Sequence, residues 1–346
     1  MSEVRSLSYG DAGVDREVAA RTKSRIAELV ESTRTDDVVS RAGGFGGLFR
    51  VPGGYRQPVL VSSADGVGTK LKVAMMADRH DTVGLDLVNH CVNDILVEGA
   101  RPLFFLDYIG MGQLEQDTVE QLVEGLARGC SQNGCVLLGG ETAEMPDFYA
   151  PGEYDLAGFI VGMVDDDARP GAHRVAADDV LVGIAGSGFH TNGYSLLRRL
   201  LFDRLRLGID DPFPDSAESV ADVLLRPHRS YAQALLPMIA DGRVHALSHI
   251  TGGGIPENLV RVLPDGVRAS IDRASWAVPP EFAAVQAHGN VADDEMFLTF
   301  NMGVGMIVVT AADDADALVR DLGRAGERAW RIGTLEEAAD RTVDIR

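Results

Sequence analysis

Hydrophobic and polar positions along the first half of the chain alternate between two periods. Residues 58–64 (PVLVSSA) form an apolar run that follows a polar stretch and ends at a carboxylate, which predicts a strand. Residues 83–98 place Leu85, Val88, Val92 and Ile95 on one stripe at helical spacing. Residues 102–109 (PLFFLDYI) predict a buried strand, and 114–133 a helix closed by Gly134. A short strand, CVLLGG, and a long one at 154–164 (YDLAGFIVGMV) follow. The pattern then breaks. Residues 165–173 (DDDARPGAH) are charged, contain Pro-Gly and read as a linker. A second strand–loop–helix series opens with VLVGIAG at 180–186, and 207–218 (LGIDDPFPDSAE) reads as a surface loop. Closely spaced strands of both kinds predict an α/β chain of the α+β type rather than a doubly wound sheet. With 346 residues there is enough chain for two cores, and the composition break divides it into domains at 1–167 and 168–346.

Charge narrows the function. The formal net charge of −20 excludes a nucleic-acid or anionic-membrane binder, each of which needs a basic face. Any phosphate ligand must be held locally, by backbone N–H groups, helix N-termini or bound metal. No stretch approaches the roughly 20 apolar residues of a membrane span. The opening MSEVRSLSYGDAG has no apolar run behind its charges and does not read as a signal peptide. Cys91, Cys130 and Cys135 are odd in number and irregularly spaced. They read as reduced, buried thiols of a cytoplasmic protein rather than a disulfide framework or zinc site. Only Lys23, Lys70 and Lys72 are lysines among the 32 basic residues, and two of them flank one motif.

That motif is Ser63-Ala64-Asp65-Gly66-Val67-Gly68-Thr69-Lys70. A strand ends at a carboxylate, two glycines let backbone approach a ligand, Thr69 offers a hydroxyl and Lys70 a point charge suited to phosphate. The same residues also read as a strand-end turn with a solvated aspartate. On the 83–98 helix, Asp86, His90, Asn93 and Asp94 share a face. Short oxygen-bearing side chains suit metal-bound oxygens, and they equally suit a capped surface helix. Leu138-Gly139-Gly140-Glu141 places a third carboxylate behind glycines at a strand end. In the second half, 186–195 (GSGFHTNGYS) and 249–258 (HITGGGIPEN) are glycine-rich loops running into helices, each carrying a histidine and each a candidate anion site. No Walker A loop, Rossmann fingerprint or nucleophile elbow is present.

Taken in order, these segments resemble the phosphoribosylformylglycinamidine cyclo-ligase (aminoimidazole ribonucleotide synthetase) family over nearly the whole chain. The carrying segments include SLSYGDAGVD (6–15), GGFGGLF (43–49), VLVSSADGVGTKLKVA (59–74), HDTVGLDLVNHCVNDILVEGARPLFFLDY (80–108), GCVLLGGETAEMPDFY (134–149), GSGFHTNGYSLLR (186–198), HITGGGIPENLVRVLP (249–264) and TFNMGVGMIVV (299–309). The resemblance implies a homodimer whose N-terminal domains pair strands across the interface, with ATP in a cleft partly built there. It implies Mg2+ on Asp65, Asp94 and Glu141, and ATP contacts from Gly66, Val67, Gly68, Thr69, Lys70, Asp94, Gly139, Gly140 and Glu141. Asp65, Lys70 and Asp94 would be catalytic. The phosphorylated substrate would meet Ser187, His190, Thr191, Asn192, His249, Thr251, Gly252 and Gly253. The implied reaction is Mg-ATP-driven ring closure on formylglycinamidine ribonucleotide in purine biosynthesis. Gly10 and Leu298 depart from the family pattern, which has basic residues there.

Selenophosphate synthetase and thiamine-phosphate kinase would share the acids. The former carries a reactive cysteine near its N-terminus, and this chain has none before Cys91. A catalytically inactive binding subunit would be expected to have lost Asp65, Lys70, Asp94 or Glu141. The acidic surface carries its own expectation, adaptation to salt, because like charge on one compact molecule repels itself and salt screens it. The melting temperature and steady-state activity should therefore rise with potassium chloride between about 0.05 and 2 M. A flat melting temperature, with activity falling steadily from about 0.2 M, rejects that adaptation.

Overall fold

The computed structural model describes residues 16–40 and 44–346. The 6–15 segment, Gly10 and Gly43 lie outside them. Two mixed sheets organise the rest. The first half runs α1 (Arg16–Ser32), β1 (Pro58–Gly66), α2 (Lys70–Ala77), α3 (Asp81–Leu96), β2 (Arg101–Met111), α4 (Gln116–Asn133), β3 (Val136–Glu144) and β4 (Tyr154–Asp165). Its four strands lie in the order β1-β4-β2-β3, with β4 antiparallel to both neighbours and β2 parallel to β3. The second half runs β5 (Val180–Ala185), α5 (Tyr194–Arg198), α6 (Val220–Leu224), α7 (Ala232–Ala240), β6 (Ala246–His249), α8 (Gly254–Leu259), β7 (Val267–Ile271), α9 (Pro280–Gly289), α10 (Asp293–Thr299), β8 (Val304–Thr310), α11 (Ala315–Arg324), β9 (Ala329–Glu337) and β10 (Val343–Ile345). Its sheet order is β10-β7-β9-β5-β8-β6. The mixture of parallel and antiparallel pairs is the α+β arrangement that the strand pattern predicts.

The predicted elements form close to their expected bounds, each for a local reason. Gly134 takes φ 65°, a conformation that costs glycine nothing, and its N–H closes the last turn of α4 on Cys130 O and Ser131 O. β5 and β8 are buried at every position, so they read as continuous apolar runs rather than alternating ones. The 207–218 loop is not wholly a surface feature. Phe213 turns inward and is buried beside Phe189. Residues 165–173 hold two short 3-10 turns, and the Gly171 N–H is tied to His245 O at 2.7 Å. Leu298 is partly exposed on α10. Among the described residues no helix is long and apolar enough to cross a membrane.

α3 departs furthest from the sequence expectation. A capped surface helix is one of the two readings its polar face allows, yet all its residues except Asp81 and Asp94 are buried. It packs on α4 and the first sheet from one side and meets α7 and β6 from the other. The close approach of α4 depends on glycine. A Cβ at Gly84 would run into the backbone at Leu122 O, one at Gly125 into Asp81 O, and one at Gly129 into the Val88 side chain. Gly158 on β4 serves the same end beneath α3, where a Cβ would strike Phe105 and Leu87. Gly125→Ala should therefore lower stability by about 1–3 kcal/mol or more, because the obstacle is backbone that cannot rotate away. An unchanged urea midpoint for Gly125→Ala would mean that the helices are not held this closely.

Candidate active site

Two residues of α2 and α3 join the halves of the molecule. Lys70 Nζ lies 2.7 Å from Asp86 Oδ2, with both side chains 0% exposed. The ammonium also donates to His190 O at 3.1 Å and Arg226 O at 2.8 Å, so its three protons are all placed. Burial pulls the Lys70 ammonium down and pushes the Asp86 carboxyl up, each opposed by the other's charge. This corrects the expectation that Lys70 offers a free point charge to phosphate. It instead clamps two carbonyls of the second half onto the first.

The polar face of α3 divides in the same way. Asp86 Oδ1 accepts from His228 N at 2.6 Å, and Asn89 Nδ2 donates to His228 O at 2.7 Å. Asn93 Oδ1 accepts from Tyr231 N at 3.1 Å while its Nδ2 donates to Arg229 O at 2.8 Å. Asp86, Asn89 and Asn93 are thus satisfied docking groups rather than metal ligands. His90 and Asp94 turn the other way, toward the end of β1. His90 Nε2 lies 2.8 Å from Asp65 Oδ2 and 3.7 Å from Asp94 Oδ2, and Ser63 Oγ donates to Asp94 Oδ2 at 3.2 Å. Asp65 and Asp94 keep 42% and 26% of their side chains exposed, which makes them the open mouth of the site.

Behind that mouth lie four imidazoles. His249 Nδ1 is 2.9 Å from Asp94 Oδ1, and its Nε2 is 3.0 Å from His228 Nε2. His228 stacks on His190 with ring centroids 4.1 Å apart. Thr191 Oγ1 lies 2.8 Å from His90 Nδ1 and 3.3 Å from His228 Nδ1. Burial alone would push the Asp65 carboxyl up, but the hydrogen bond and charge of His90 outweigh it and hold it below the ordinary carboxylate range. Burial would lower the His90 imidazole, and its Asp65 hydrogen bond and the Asp94 charge raise it instead. Burial wins at His249, and it drives His190 and His228 well below the usual histidine range, so these two are neutral.

The glycine loops complete the mouth. Gly66 N donates to Asp65 Oδ1 at 2.7 Å, Gly68 takes φ 71° beside open space, and Val67 is a core side chain that offers only backbone. Thr69 Oγ1 lies 3.2 Å from Ser195 Oγ across the two halves. Ser187 Oγ donates to Pro227 O at 2.6 Å and Ser187 N to His190 Nε2 at 3.1 Å. Asn192 lies against Gly252, and its Nδ2 is buried without a protein partner. Asn258 pins the 251–254 loop by donating to Gly252 O at 3.1 Å and Gly254 O at 2.8 Å, next to Thr251 and Gly253. The helices after these loops, α5 and α8, are only five and six residues long, so backbone and side-chain donors rather than long helix dipoles would hold an anion.

Glu141 stands apart. Asp65, Gly158, Asp107 and Gly140 form one row across the first sheet, which puts β3 three strands, roughly 14 Å, from β1. Within one chain, therefore, Glu141 does not meet Asp65 and Asp94. It lines a separate cavity of about 700 Å³ with Gly139, Gly140, Asp107, Tyr108 and Phe45. Asp107 lies against Gly140 there, and burial pushes its carboxyl up to about 7. His228 and Asn89 are not singled out by the sequence reading. His228 sits in RPHRSY without a glycine context, and the one available signal was that the polar face of α3 needed a partner.

Comparison with known proteins gives a consistent picture. Residues 47–164 match the AIR synthase related protein, N-terminal domain, and residues 176–346 the AIR synthase related protein, C-terminal domain. A phosphoribosylformylglycinamidine cyclo-ligase of Trichlorobacter lovleyi is 50% identical over 97% of this chain and 96% of its own. One from Geobacter metallireducens is 48% identical over 99% of each. Among solved structures, the thiamine-monophosphate kinase of Stenotrophomonas maltophilia shares the fold at TM-score 0.67 and 18% identity, covering 96% of each chain. Hydrogenase maturation protein HypE in complex with ATP shares it at TM-score 0.68 and 17% identity, covering 97% of this chain and 93% of that one.

The clamp makes its own prediction. Lys70→Met leaves Asp86 buried without a counter-charge and should cost about 3–5 kcal/mol, whereas Lys70→Met with Asp86→Leu should cost less than the single change. Chemical denaturation of both variants measures the difference. Equal losses would remove the ion pair as the junction between the halves.

Proposed function

The chain belongs to the phosphoribosylformylglycinamidine cyclo-ligase family, and on that premise we propose how its residues carry out the family's ATP-dependent closure of an imidazole ring. The observation that carries the reading is the convergence of Asp65 and Asp94 with the 187–192 and 249–253 loops at one solvent-open mouth between the two halves. The formamide oxygen of formylglycinamidine ribonucleotide is a poor leaving group. Transfer of the γ-phosphoryl group of ATP onto it gives an imino-phosphate, and the ring-forming nitrogen then expels phosphate, leaving ADP and aminoimidazole ribonucleotide. The protein's share is positioning and charge stabilisation.

Asp65 and Asp94 suit Mg2+, since they are adjacent, oxygen-bearing and open to water. When bound, the ion neutralises charge on the transferring phosphoryl group. Backbone at Gly66, Val67, Gly68 and Thr69 lines the nucleotide phosphates. Asn192, with its unpaired buried amide, and the loops around Ser187, His190, Thr191, Thr251, Gly252 and Gly253 hold the substrate phosphate. Lys70 acts by fixing the 190 and 226 backbones that shape this wall. We place the domain boundary near residue 168 and the enzyme in the cytoplasm.

Glu141, Gly139 and Gly140 join the same site from a second copy of the chain. The face of the first sheet away from α3 carries Leu60 and Phe159 at 64% and 45% exposure, beside half-buried Leu106 and Val161. A homodimer that covers this apolar face sets β3 of one protomer near the β1 end of its partner. Asp65→Asn and Glu141→Gln should each abolish substrate-dependent ATP hydrolysis without unfolding. Refolding the two inactive variants together should restore about a quarter of normal activity, because half the dimers are mixed and one of their two sites is intact. No recovery from a mixture proven to exchange subunits would place both carboxylates in a single-chain site, and a fully active monomer would remove the dimer altogether.

A further inference from the structure

The orientation of one amide fixes protons throughout the histidine cluster. Asn93 must point Oδ1 at Tyr231 N–H and Nδ2 at Arg229 O. Its second amide hydrogen therefore faces His228 Nε2, 3.3 Å away, which makes that nitrogen an acceptor. His249 Nε2, 3.0 Å from the same atom, must then be the donor. His249 consequently turns its other ring nitrogen, Nδ1, onto the Asp94 carboxylate at 2.9 Å, where one cation could be held by both.

We propose that His90, His249 and Asp94, with Asp65 alongside, form a binding site for a divalent first-row transition metal of the zinc class. The ligand atoms of His90, Asp94 and His249 all lie within 4.8 Å of one another. A metal with bonds of about 2.0–2.1 Å in tetrahedral geometry holds its ligand atoms about 3.3 Å apart. The observed separations of 2.8 Å (His90–Asp65), 2.9 Å (His249–Asp94) and 3.7 Å (His90–Asp94) bracket that value. The outer nitrogen of each imidazole is already anchored, His249 Nε2 on His228 Nε2 at 3.0 Å and His90 Nδ1 on Thr191 Oγ1 at 2.8 Å. Thr191 Oγ1 has two lone pairs and accepts from both His90 and His228 when each keeps its proton on Nδ1. Outer-shell bonds of this kind orient metal-bound histidines. Two nitrogens in the donor set favour zinc, cobalt, nickel or copper over magnesium, which prefers oxygen alone. The exposed edges of Asp65 and Asp94 give the ion its way in. Occupancy takes Asp94 away from Mg-ATP and so inhibits turnover; this consequence rests on the nucleotide assignment above, whereas the binding does not.

The test is a cobalt(II) titration of the untagged, nucleotide-free dimer, read by visible absorption. Stoichiometric binding with intense ligand-field bands is expected. It should disappear in His90→Gln and in His249→Gln and weaken roughly 10–100-fold in His228→Gln, which touches only the outer shell. It should persist in the His245→Gln/His288→Gln double variant, which removes two histidine–carboxylate pairs away from the mouth, His245–Asp179 and His288–Asp215. On wild-type protein, copper(II) electron paramagnetic resonance should show coupling to two imidazole nitrogens, a readout that needs no variant to fold. Absent cobalt binding, binding indifferent to His90 and His249, or a copper spectrum without nitrogen coupling each overturns the site, and the last two leave oxygen ligation by Asp65 and Asp94 untouched. Cobalt that binds through the histidines yet is not displaced by Mg-ATP upholds the metal site and counts against the nucleotide assignment of Asp94.

Discussion

The rest of the structure depends on the docking of α3 between the two halves. A buried ion pair is poor evidence of stability in itself, because desolvating two charges costs about as much as their attraction returns. Its value here is positional. Lys70 takes hold of the carbonyls of His190 and Arg226, and Asp86 takes the amide of His228. The loop that carries His228 and the loop that carries His190 and Thr191 are therefore set against the helix that carries His90 and Asp94. The contacts of His90 with Thr191 and of Asp94 with His249 follow from that registration, and any slip of one half over the other would strand a buried charge.

A second constraint keeps α3 low on its sheet. Gly84, Gly125 and Gly129 bring α4 against it backbone to backbone, and Gly158 opens room beneath for Leu87 and Phe105. The result is that Asp94 reaches Ser63 on β1 and lies beside the same His90 nitrogen as Asp65. Two acids that come from separate elements so converge on one histidine. The chain carries a net charge of −20, yet the groups at the mouth are set by local contacts. The His90 imidazole faces both carboxylates, and the glycine loops leave backbone N–H groups near the mouth whatever the overall charge.

Composition, periodicity and motif spacing by themselves determined the strand and helix content, the mixed α/β character of the chain, and where the DGVGTK turn and the two glycine–histidine loops fall. These are local properties: apolar period fixes element type, glycine fixes where backbone turns, and residue type fixes chemistry. Only the tertiary structure decided what each polar group faces. Lys70 looked like a phosphate ligand because its neighbours are glycines, and it is instead enclosed by carbonyls more than a hundred residues away. Asp86 and Asn93 share a helix face with His90 and Asp94, yet a rotation of about 100° per residue sends them to a docking surface rather than the mouth. His228 had no local signature because its role comes from partners on other segments, Asp86, Asn89, Asn93, Thr191, His190 and His249. Glu141 falls on the far edge of the sheet because strand order, which no local pattern encodes, inserts β4 and β2 between β1 and β3. Side-chain partners depend on which distant segments fold together, and spacing along a chain carries no record of that.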